Sequence, residues 1–567
     1  MSTEDKSLNF IEQIIQEDLK KGLSGDKLRF RFPPEPNGYL HVGHASAICL
    51  NFGLGIDYNA PVNLRFDDTN PAKEEQEYVD AIKRDIEWLG FQWSKECYAS
   101  DYFQQLYDWA VEFIKAGKAY VDSQSSEDMA IQKGTPTTPG TDSPFRNRSV
   151  EENLDLFERM KNGEFPNGTH ILRAKISMGA NNMLMRDPIM YRILHAHHHR
   201  TGNDWCIYPM YDWAHGESDY LEQISHSFCT LEFLPHRELY DWFLDQIQSE
   251  LVSDSQLPVR PKQREFARRN LSHTVVSKRK LLQLVEEKHV SSWDDPRMST
   301  ISGMRRRGYP PMAIRNFANT IGIAKRTNLI DVSLLEFCVR EELNKTTPRV
   351  MAVLNPVKLI ITNYPEGKEE FLNAENSQED DSLGSRKIPF AREILIERED
   401  FQEEANNKFF RLTIGTEVRL KNAYIIKANS LGKDATGNIT EIYCTYDEDS
   451  LSGSGSEASQ RKVKATIHWV SIKHALTAEV RIYDRLFTHE NPDGDKEVDF
   501  KNYINPNSLE VITGYLEPSL SSAKNGDRFQ FQRMGYYCVD KDSTANKLVF
   551  NKTVGLRDTW AKILNKE

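Results

Sequence analysis

The succession of a strand, a tight turn and an apolar helix within residues 28–66 restricts the fold of this chain more than any other stretch. Apolar residues at 28, 30 and 32 alternate with Arg29 and Arg31, which is typical of a β-strand. Prolines, Asn37 and Gly38 then turn the chain before the helix. A second alternating strand follows at 62–66, and the pattern predicts a βαβ unit with a parallel sheet.

Two histidines, His41 and His44, lie three positions apart where this helix begins, so both can lie on one helical face. A helix N-terminus presents backbone N–H groups and a partial positive charge, which suits phosphate. The pair is therefore either part of a phosphate site or a pair of capping or core histidines. The motif alone leaves both interpretations open.

Ligands of parallel sheets lie at the carboxyl ends of the strands. The segments 35–44 and 67–70 both follow a predicted strand, so we expect them to share one crevice. A helix is predicted from about Lys73 to Leu89, and helical runs are predicted over 219–233 and 236–251. Val276–Lys280 is predicted to be a loop that precedes a helix over 281–289.

Length and charge limit the class of protein. A chain of 567 residues should contain several domains, because single cores seldom grow beyond about 300 residues. The net charge of −12 argues against uniform electrostatic binding to nucleic acid, although basic residues are concentrated over 260–307. The seven cysteines include no CxxC pair, which fits a reducing cytoplasm rather than a disulfide framework. We find no signal peptide and no membrane-spanning segment, so we expect a cytoplasmic protein.

The sequence changes character along its length, which predicts an α/β, then α, then β multidomain chain. From about residue 349, short alternating stretches between polar loops predict antiparallel β-barrels. These stretches are Val357–Ile361, Glu417–Ile426, Glu441–Tyr446, Lys462–Trp469, Glu479–Tyr483 and Arg528–Tyr537. The predicted domains are a Rossmann-like catalytic fold in two parts (1–104 and 206–269), an insertion (105–205), a helical subdomain (270–347) and two C-terminal β-barrels (348–567).

Several motifs together resemble the class I aminoacyl-tRNA synthetases. Arg31–His44 resembles the HIGH signature of that class, and Val276–Arg279 resembles its KMSKS loop. The wider sequence resembles the glutamyl/glutaminyl subgroup, and most closely its glutaminyl branch, from about residue 10 to the C-terminus. The matching blocks are Leu64–Asn70, Ser149–Asn153, Trp205–Pro209, Cys229–Phe233, Trp293–Arg297 and Thr553–Trp560.

The resemblance implies that glutamine is activated by ATP, as a glutaminyl-adenylate, and transferred to the terminal ribose of its tRNA. It gives catalytic roles to His41 and His44, as donors to phosphate, and to Lys278, which would neutralise the departing pyrophosphate. We expect Mg²⁺ to arrive with ATP, and no protein-bound metal is predicted. The residues expected to bind ATP are Glu35, Pro36, Asn37, His41, Val42, Gly43, His44, Ser277, Lys278 and Arg279.

The resemblance also implies a glutamine pocket formed by Arg31, Asp67, Tyr211, His215, Cys229 and Gln263. Asp67 is expected to pair with the substrate ammonium group, and Tyr211 to accept a hydrogen from its side-chain amide. Family members that activate glutamate carry an arginine at the position of Cys229. A neutral thiol cannot pair with the γ-carboxylate, so glutamate would lose its counter-ion in a desolvated pocket.

The implied partners are tRNA(Gln), glutamine and ATP, bound by a monomer. The insertion would bind the acceptor end of the tRNA, and the barrels would bind its anticodon. The expected anticodon-binding residues are Arg349, Arg411, Gln530 and Arg533. Two acceptor-end positions depart from the family pattern, where this chain has Pro136 and Pro235.

Three alternative functions and one alternative site remain open. The chain could be a glutamate-specific synthetase with β-barrel anticodon domains, a non-catalytic tRNA-binding relative, or a small-metabolite nucleotidylyltransferase. The last of these leaves the β-rich C-terminal region without a role. The His-rich segment 195–199 lacks the cysteine partners or the HExxH spacing typical of zinc sites, and a solvated turn before Gly202 is the preferred interpretation.

Overall fold

A computed structural model of the protein describes residues 8–72, 75–249, 257–404, 406 and 408–557. The chain divides into two compact units. The first contains Met1–Asn270 and Ala318–Ile330, and the second contains Leu271–Phe317 and Asp331–Glu567. Across these ranges, none of the helices combines the length and the apolar character needed to cross a membrane.

Parallel strands form the centre of the first unit. β1 pairs with β2 and β2 with β3, while β8 pairs with β9, all in parallel. The strand β8 also lies beside β1, since the Ser225 amide donates to the Arg29 carbonyl at 3.0 Å. These strands are β1 (Phe30–Phe32), β2 (Val62–Phe66), β3 (Lys95–Tyr98), β8 (His226–Thr230) and β9 (Lys262–Phe266). The predicted βαβ unit with a parallel sheet is confirmed.

Helices and a second sheet surround this centre. The sheet is antiparallel, in the order β4-β5-β6-β7, and packs with α4 and α6 around a core that includes Trp109, Phe113, Phe157 and Tyr191. Its strands are β4 (Ala119–Asp122), β5 (Ile171–Ala174), β6 (Ile189–Ile193) and β7 (Ile207–Pro209). The helices are α1 (Phe10–Lys20), α2 (Val42–Asp57), α3 (Gln76–Trp88), α4 (Phe103–Lys115), α5 (Ser126–Gln132), α6 (Val150–Lys161), α7 (Tyr211–Leu221) and α8 (Arg237–Gln248).

One predicted helical run differs from the structure, and two predicted helix boundaries lie outside the described residues. The run predicted to be helical over 219–233 is wrong, because α7 ends at Leu221 and β8 begins at His226. Gln223 adopts a left-handed backbone conformation (φ 58°), which ends the helix. Lys73, the predicted start of the helix that ends near Leu89, lies outside the described residues. Residue 251, the predicted end of the run that begins at 236, also lies outside them, and the helix α8 of this run ends at Gln248.

The second unit begins with helices and continues into two seven-stranded, barrel-like sheets. The helices are α9 (Lys278–Glu286), α10 (Ile301–Arg307) and α12 (Val332–Thr346), with a short α13 (Glu457–Gln460) between strands. Two short strands, β10 (Arg269–Leu271) and β11 (Asn328–Ile330), and the helix α11 (Pro311–Ile321) lie near the sequence boundaries of the units. The helix predicted over 281–289 corresponds to α9, which begins earlier, at Lys278, and ends at Glu286.

The two large sheets account for most of the C-terminal half. One has the order β21-β18-β19-β20-β14-β17-β22 and the other β12-β25-β26-β27-β23-β24-β13, and β15 pairs with β16 separately. The strands are β12 (Arg349–Val350), β13 (Ala352–Val353), β14 (Pro356–Ile361), β15 (Glu370–Glu375), β16 (Ser385–Phe390), β17 (Glu393–Glu397), β18 (Glu417–Leu420), β19 (Ile425–Lys433), β20 (Ile439–Asp447), β21 (Thr466–Ile467), β22 (Val470–Ser471), β23 (Leu476–Tyr483), β24 (Leu509–Leu516), β25 (Arg528–Phe531), β26 (Gly535–Val539) and β27 (Leu548–Val554).

Two of the predicted strands are hairpins. The stretch 417–426 turns at Asn422, and the stretch 528–537 turns at Arg533, both with left-handed backbone (φ 58° and 68°). Alternation of side chains continues through such a tight turn, so the pattern alone does not locate it. The strand predicted over 462–469 shortens to Thr466–Ile467.

Candidate functional site

Each histidine of the HxGH motif uses a ring nitrogen to cap α2. His41 is the N-cap residue, and its Nδ1 accepts from the Gly43 amide at 3.1 Å. The Nδ1 of His44 accepts in turn from the His41 amide at 3.2 Å. The rings lie 3.9 Å apart between centroids. Two backbone N–H groups at the helix start are thereby satisfied, as in a capping box.

Capping fixes the tautomer of both rings. A neutral imidazole that accepts at Nδ1 carries its proton on Nε2, so each ring retains one N–H donor. Gly43 contributes through its size, because a Cβ there would lie 2.9 Å from Cε1 of His41. The capping interpretation and the phosphate-site interpretation are therefore compatible: the cap orients two donors at the positive end of a helix.

The loop that precedes this helix is attached to the end of β2. The Asp67 amide donates to the Pro34 carbonyl at 3.1 Å, and the Glu75 amide donates to the Pro36 carbonyl at 3.2 Å. The Asn37 side chain donates to Glu35. The structure thus brings together the two segments that the strand order suggested would share a crevice.

Behind Asp67 lies a buried network of charged side chains. The Asp219 carboxylate accepts from Arg31 at 3.1 Å and from Arg65 at 2.7 Å, and all three side chains are fully buried. Arg65 also donates to Asp67 at 2.9 Å. Nε2 of His215 lies 2.9 Å from Arg31, and Nδ1 lies 3.4 Å from Asp67. Nδ1 also lies 3.2 Å from the Arg65 guanidinium, so His215 contacts both arginines as well as Asp67.

The network keeps its carboxylates ionised. Burial alone would raise the pKa of the Asp67 carboxyl, but Arg65 and His215 outweigh burial and hold that pKa below its ordinary value. Burial would likewise raise the pKa of Asp219, and Arg31 and Arg65 hold it far below the usual range. Removing one partner of such a buried pair typically costs about 3–5 kcal/mol.

Aromatic and amide groups complete this side of the crevice. The Tyr211 ring stacks on His215 with centroids 4.8 Å apart and also contacts Phe233. Burial raises the pKa of the Tyr211 hydroxyl well above its ordinary value, so this hydroxyl stays neutral. Four of the six proposed pocket residues (Arg31, Asp67, Tyr211 and His215) are thus linked by direct contacts.

Cys229 and Gln263 are on the paired strands β8 and β9. The register aligns Ser227 with Gln263 and Cys229 with Glu265. Burial raises the pKa of the Cys229 thiol to about 12, so the thiol is neutral at physiological pH. Ser227 accepts from Arg31 at 2.6 Å, which places this face of the strand pair against the buried network.

The KMSKS-like segment belongs to the second unit. Ser277 precedes α9 as its N-cap residue, and Lys278 and Arg279 are the first two residues of the helix. Lys280, one position further, binds Asp493 and lies 4.9 Å from the Phe500 ring centroid. The adjacent Val275 and Leu281 are buried in a shared apolar cluster, so the start of α9 is anchored.

The four anticodon candidates form two groups in the second unit. Arg349 and Gln530 are register partners on β12 and β25. Asp400 accepts from Arg533 at 2.6 and 2.7 Å and lies 3.1 Å from Arg411. Asp400 is fully buried and was not among the predicted residues. Its signal in the sequence is weak, because it lies more than 130 positions from Arg533.

The His-rich segment does form a cluster, in which ligand atoms of Asp68, His198 and His199 lie within 4.8 Å of one another. However, Nε2 of His198 lies 2.8 Å from the Asp68 carbonyl, and its Nδ1 accepts from the amides of Arg200 and Thr201. With both ring nitrogens engaged by backbone, His198 fits a turn-stabilising role better than that of a metal ligand.

Comparisons with known proteins identify the family of this chain. The family model "tRNA synthetases class I (E and Q), catalytic domain" matches residues 27–345, and two "anti-codon binding domain" models of the same family match 347–447 and 466–540. A glutamine--tRNA ligase of Vibrio parahaemolyticus is 56% identical over 98% of this chain and 98% of its own length. One from Salmonella newport is 57% identical over 99% of both chains.

Among solved structures, a glutamate-tRNA synthetase from Elizabethkingia anophelis aligns with a TM-score of 0.41 and 17% identity, covering 56% of this chain and 71% of that one. That likeness is too low to add to the assignment. The family models and the full-length relatives are sufficient. The chain belongs to the class I tRNA synthetases of the glutamate and glutamine (E and Q) group.

Proposed function

We propose that this chain is a glutamine–tRNA ligase, which joins glutamine to its cognate tRNA in an ATP-dependent reaction. The observation that carries the proposal is 56–57% identity to glutamine--tRNA ligases over nearly the whole of both chains. The neutral Cys229 thiol, where glutamate-activating members carry an arginine, supports glutamine over glutamate as the substrate.

In the first step, an oxygen of the glutamine α-carboxylate attacks the α-phosphorus of ATP, and the bond to the β,γ-diphosphate breaks to release pyrophosphate. We propose that the Nε2–H groups of His41 and His44 donate to the phosphate oxygens as charge accumulates there. Their orientation is set in advance by the caps on α2, which is how preorganised donors stabilise a transition state. Val42 and Gly43 let the nucleotide approach the helix backbone.

Lys278, supported by Ser277 and Arg279, is proposed to neutralise the departing pyrophosphate. ATP would bring Mg²⁺, which adds further positive charge at the phosphates. Glu35, Pro36 and Asn37 are also proposed to contact the nucleotide, and Glu35 to orient the terminal ribose of the tRNA.

The proposed glutamine pocket binds the charged ammonium group of the substrate and its neutral side-chain amide with different residues. Asp67, ionised because Arg65 and His215 lower its pKa, pairs with the ammonium group. The Tyr211 hydroxyl and Gln263 hydrogen-bond the side-chain amide. Asp219 offsets the charge of Arg31, so we propose that Arg31 acts on the pocket by its contact with His215.

In the second step, a hydroxyl of the terminal adenosine ribose attacks the adenylate carbonyl and AMP leaves. The insertion would bind the acceptor end, and the residues Arg349, Arg411, Gln530 and Arg533 would bind anticodon bases. We also propose a monomer in the reducing cytoplasm, a location that fits the seven cysteines, all of which are free.

Aminoacylation and ATP–pyrophosphate exchange test this proposal directly. Both are measured with glutamine and with glutamate, in the presence of tRNA carrying a CUG or UUG anticodon. We expect glutamine to be charged with the higher kcat/KM. Preferential use of glutamate would overturn the pocket assignment in favour of a glutamate-specific enzyme, and failure to charge either amino acid would indicate a non-catalytic tRNA-binding protein.

A further inference from the structure

The orientation of the Gln263 amide is determined by its neighbours. Gln263 is 2% exposed, and its Nε2 donates to the Phe233 carbonyl at 3.0 Å and to Oε1 of Glu265 at 2.9 Å. Both neighbours are acceptors, so only the nitrogen of the amide can face them. Because Nε2 has two hydrogens and both are used, the group that remains for a ligand is the acceptor Oε1.

Glu265 lies next to two residues of the proposed glutamine pocket, where a net charge would affect the binding of glutamate. It is the register partner of Cys229, two positions after Gln263 on the same face of β9. Its side chain is 1% exposed, and its two carboxylate oxygens bind Arg237, one of them at 3.0 Å from Nε. The bidentate pair leaves this side of the pocket without net charge.

Building on the proposed function, we propose that Glu265 is a positioning residue that excludes glutamate by holding the Gln263 amide with its oxygen toward the substrate. The side-chain NH₂ of glutamine can donate to that oxygen. The γ-carboxylate of glutamate carries no hydrogen at neutral pH, so it would bring a negative oxygen against an acceptor in a desolvated site. Arg237 binds both oxygens of the Glu265 carboxylate, which fixes this carboxylate and thereby Gln263.

Glu265→Gln is the informative variant because it retains size and removes one acceptor. Arg237 would attract the single remaining oxygen, so the NH₂ of the new side chain would face Gln263 and favour its flipped orientation. We expect the glutamine-to-glutamate ratio of kcat/KM to fall roughly tenfold or more. The loss should come from a higher KM for glutamine, with kcat little changed, and from increased use of glutamate.

A double variant and a matched control separate positioning from folding. In Arg237→Gln/Glu265→Gln, the oxygen at position 265 is released to face Gln263, so most of the lost ratio should return. Glu232→Gln removes a carboxylate from another arginine pair of the first unit, the exposed Glu232–Arg268 pair at 3.1 Å. That variant should keep the wild-type ratio.

Two outcomes would overturn the inference: a wild-type ratio in Glu265→Gln, or an equal loss with both amino acids that the double variant does not restore. Failure of the proposed function would be seen separately, in the unmutated enzyme, as a preference for glutamate. The two failures are therefore distinguishable within one set of assays.

Discussion

Both carboxylate oxygens of Asp400 accept hydrogen bonds from the guanidinium group of Arg533, at 2.6 and 2.7 Å. The same carboxylate lies 3.1 Å from Arg411. One fully buried side chain therefore holds two of the four residues that we propose as anticodon contacts. Arginines that are fixed in this way lose less conformational entropy when they bind a base.

Asp400→Asn should weaken this support while it preserves side-chain size. We expect the KM for tRNA(Gln) to rise about tenfold, with kcat at saturating tRNA nearly unchanged, because the catalytic residues are unaffected. Steady-state aminoacylation over a range of tRNA concentrations measures both values. Asp447→Asn, which affects the exposed pair with Arg461, is the control. A reduced kcat with an unchanged KM would contradict the assigned role.

Two substitutions at His41 should separate capping from catalysis. Asparagine places an acceptor near the position of Nδ1 and can cap the helix, but it has no donor at the position of Nε2. We expect His41→Asn to retain the wild-type melting temperature and to lose roughly 10²–10³ in the rate of activation. His41→Ala should show a similar loss of activation rate and should also lose about 1 kcal/mol of stability, because the helix cap is missing. Full activity in His41→Asn would show that the histidine only caps the helix.

Lys278→Ala should reduce ATP–pyrophosphate exchange by orders of magnitude while tRNA affinity stays close to wild type. The positive charge of Lys278 matters when pyrophosphate departs, and tRNA is bound elsewhere. Lys280→Ala is the comparison, since Lys280 binds Asp493 and should affect thermal stability more than activity. Comparable losses of exchange and tRNA binding in Lys278→Ala would contradict its role.

Glu217 should make the stability of the first unit depend on pH. The side chain is fully buried, and among the described residues neither carboxyl oxygen has a hydrogen-bond partner. Burial raises the pKa of this carboxyl well above its ordinary value. As pH rises above the ordinary glutamate value, the unfolded chain releases this proton while the folded chain keeps it. The free energy of unfolding then falls by about 1.4 kcal/mol per pH unit until the folded pKa is reached.

Glu217→Leu removes this titration, so its stability advantage over wild type should grow as the pH rises above the ordinary pKa of a glutamate. Glu217→Gln, which keeps a polar group but cannot ionise, should show the same loss of pH dependence with a smaller advantage. Denaturant unfolding followed by tryptophan fluorescence measures the differences. A gap between Glu217→Leu and wild type that stays constant with pH would mean that Glu217 does not titrate in this range.

The parallel βαβ unit, the β-rich C-terminal half and the segments that bear the site were predictable because each has a local pattern. The partners of the site residues were not. Asp219 lies 188 positions from Arg31, and nothing in its neighbourhood distinguishes it from a surface carboxylate. One clue was available: Arg31 and Arg65 interrupt strands that are buried on both faces, and arginines buried in this way need carboxylates.

The hairpin turns also could not be located from the alternation of side chains. Arg533 lies within a stretch that is predicted to be one continuous strand, whereas it occupies the turn between β25 and β26. Cys229 lies within a run that is predicted to be helical, whereas the structure places it on strand β8 opposite Glu265. In both cases the identity of the residue was informative while its local conformation depended on pairing with distant segments, which a single sequence does not encode locally.

The sharing of Asp219 by Arg31 and Arg65 has a consequence for the order in which the protein can be made. Synthesis proceeds from the N-terminus, so both arginines leave the ribosome more than 150 residues before their common counter-ion. Until then, burial of β1 and β2 would leave Arg31 without its carboxylate and Arg65 with Asp67 alone. We therefore expect the opening βαβ unit to stay incompletely packed on the ribosome, and to consolidate only when α7 has emerged.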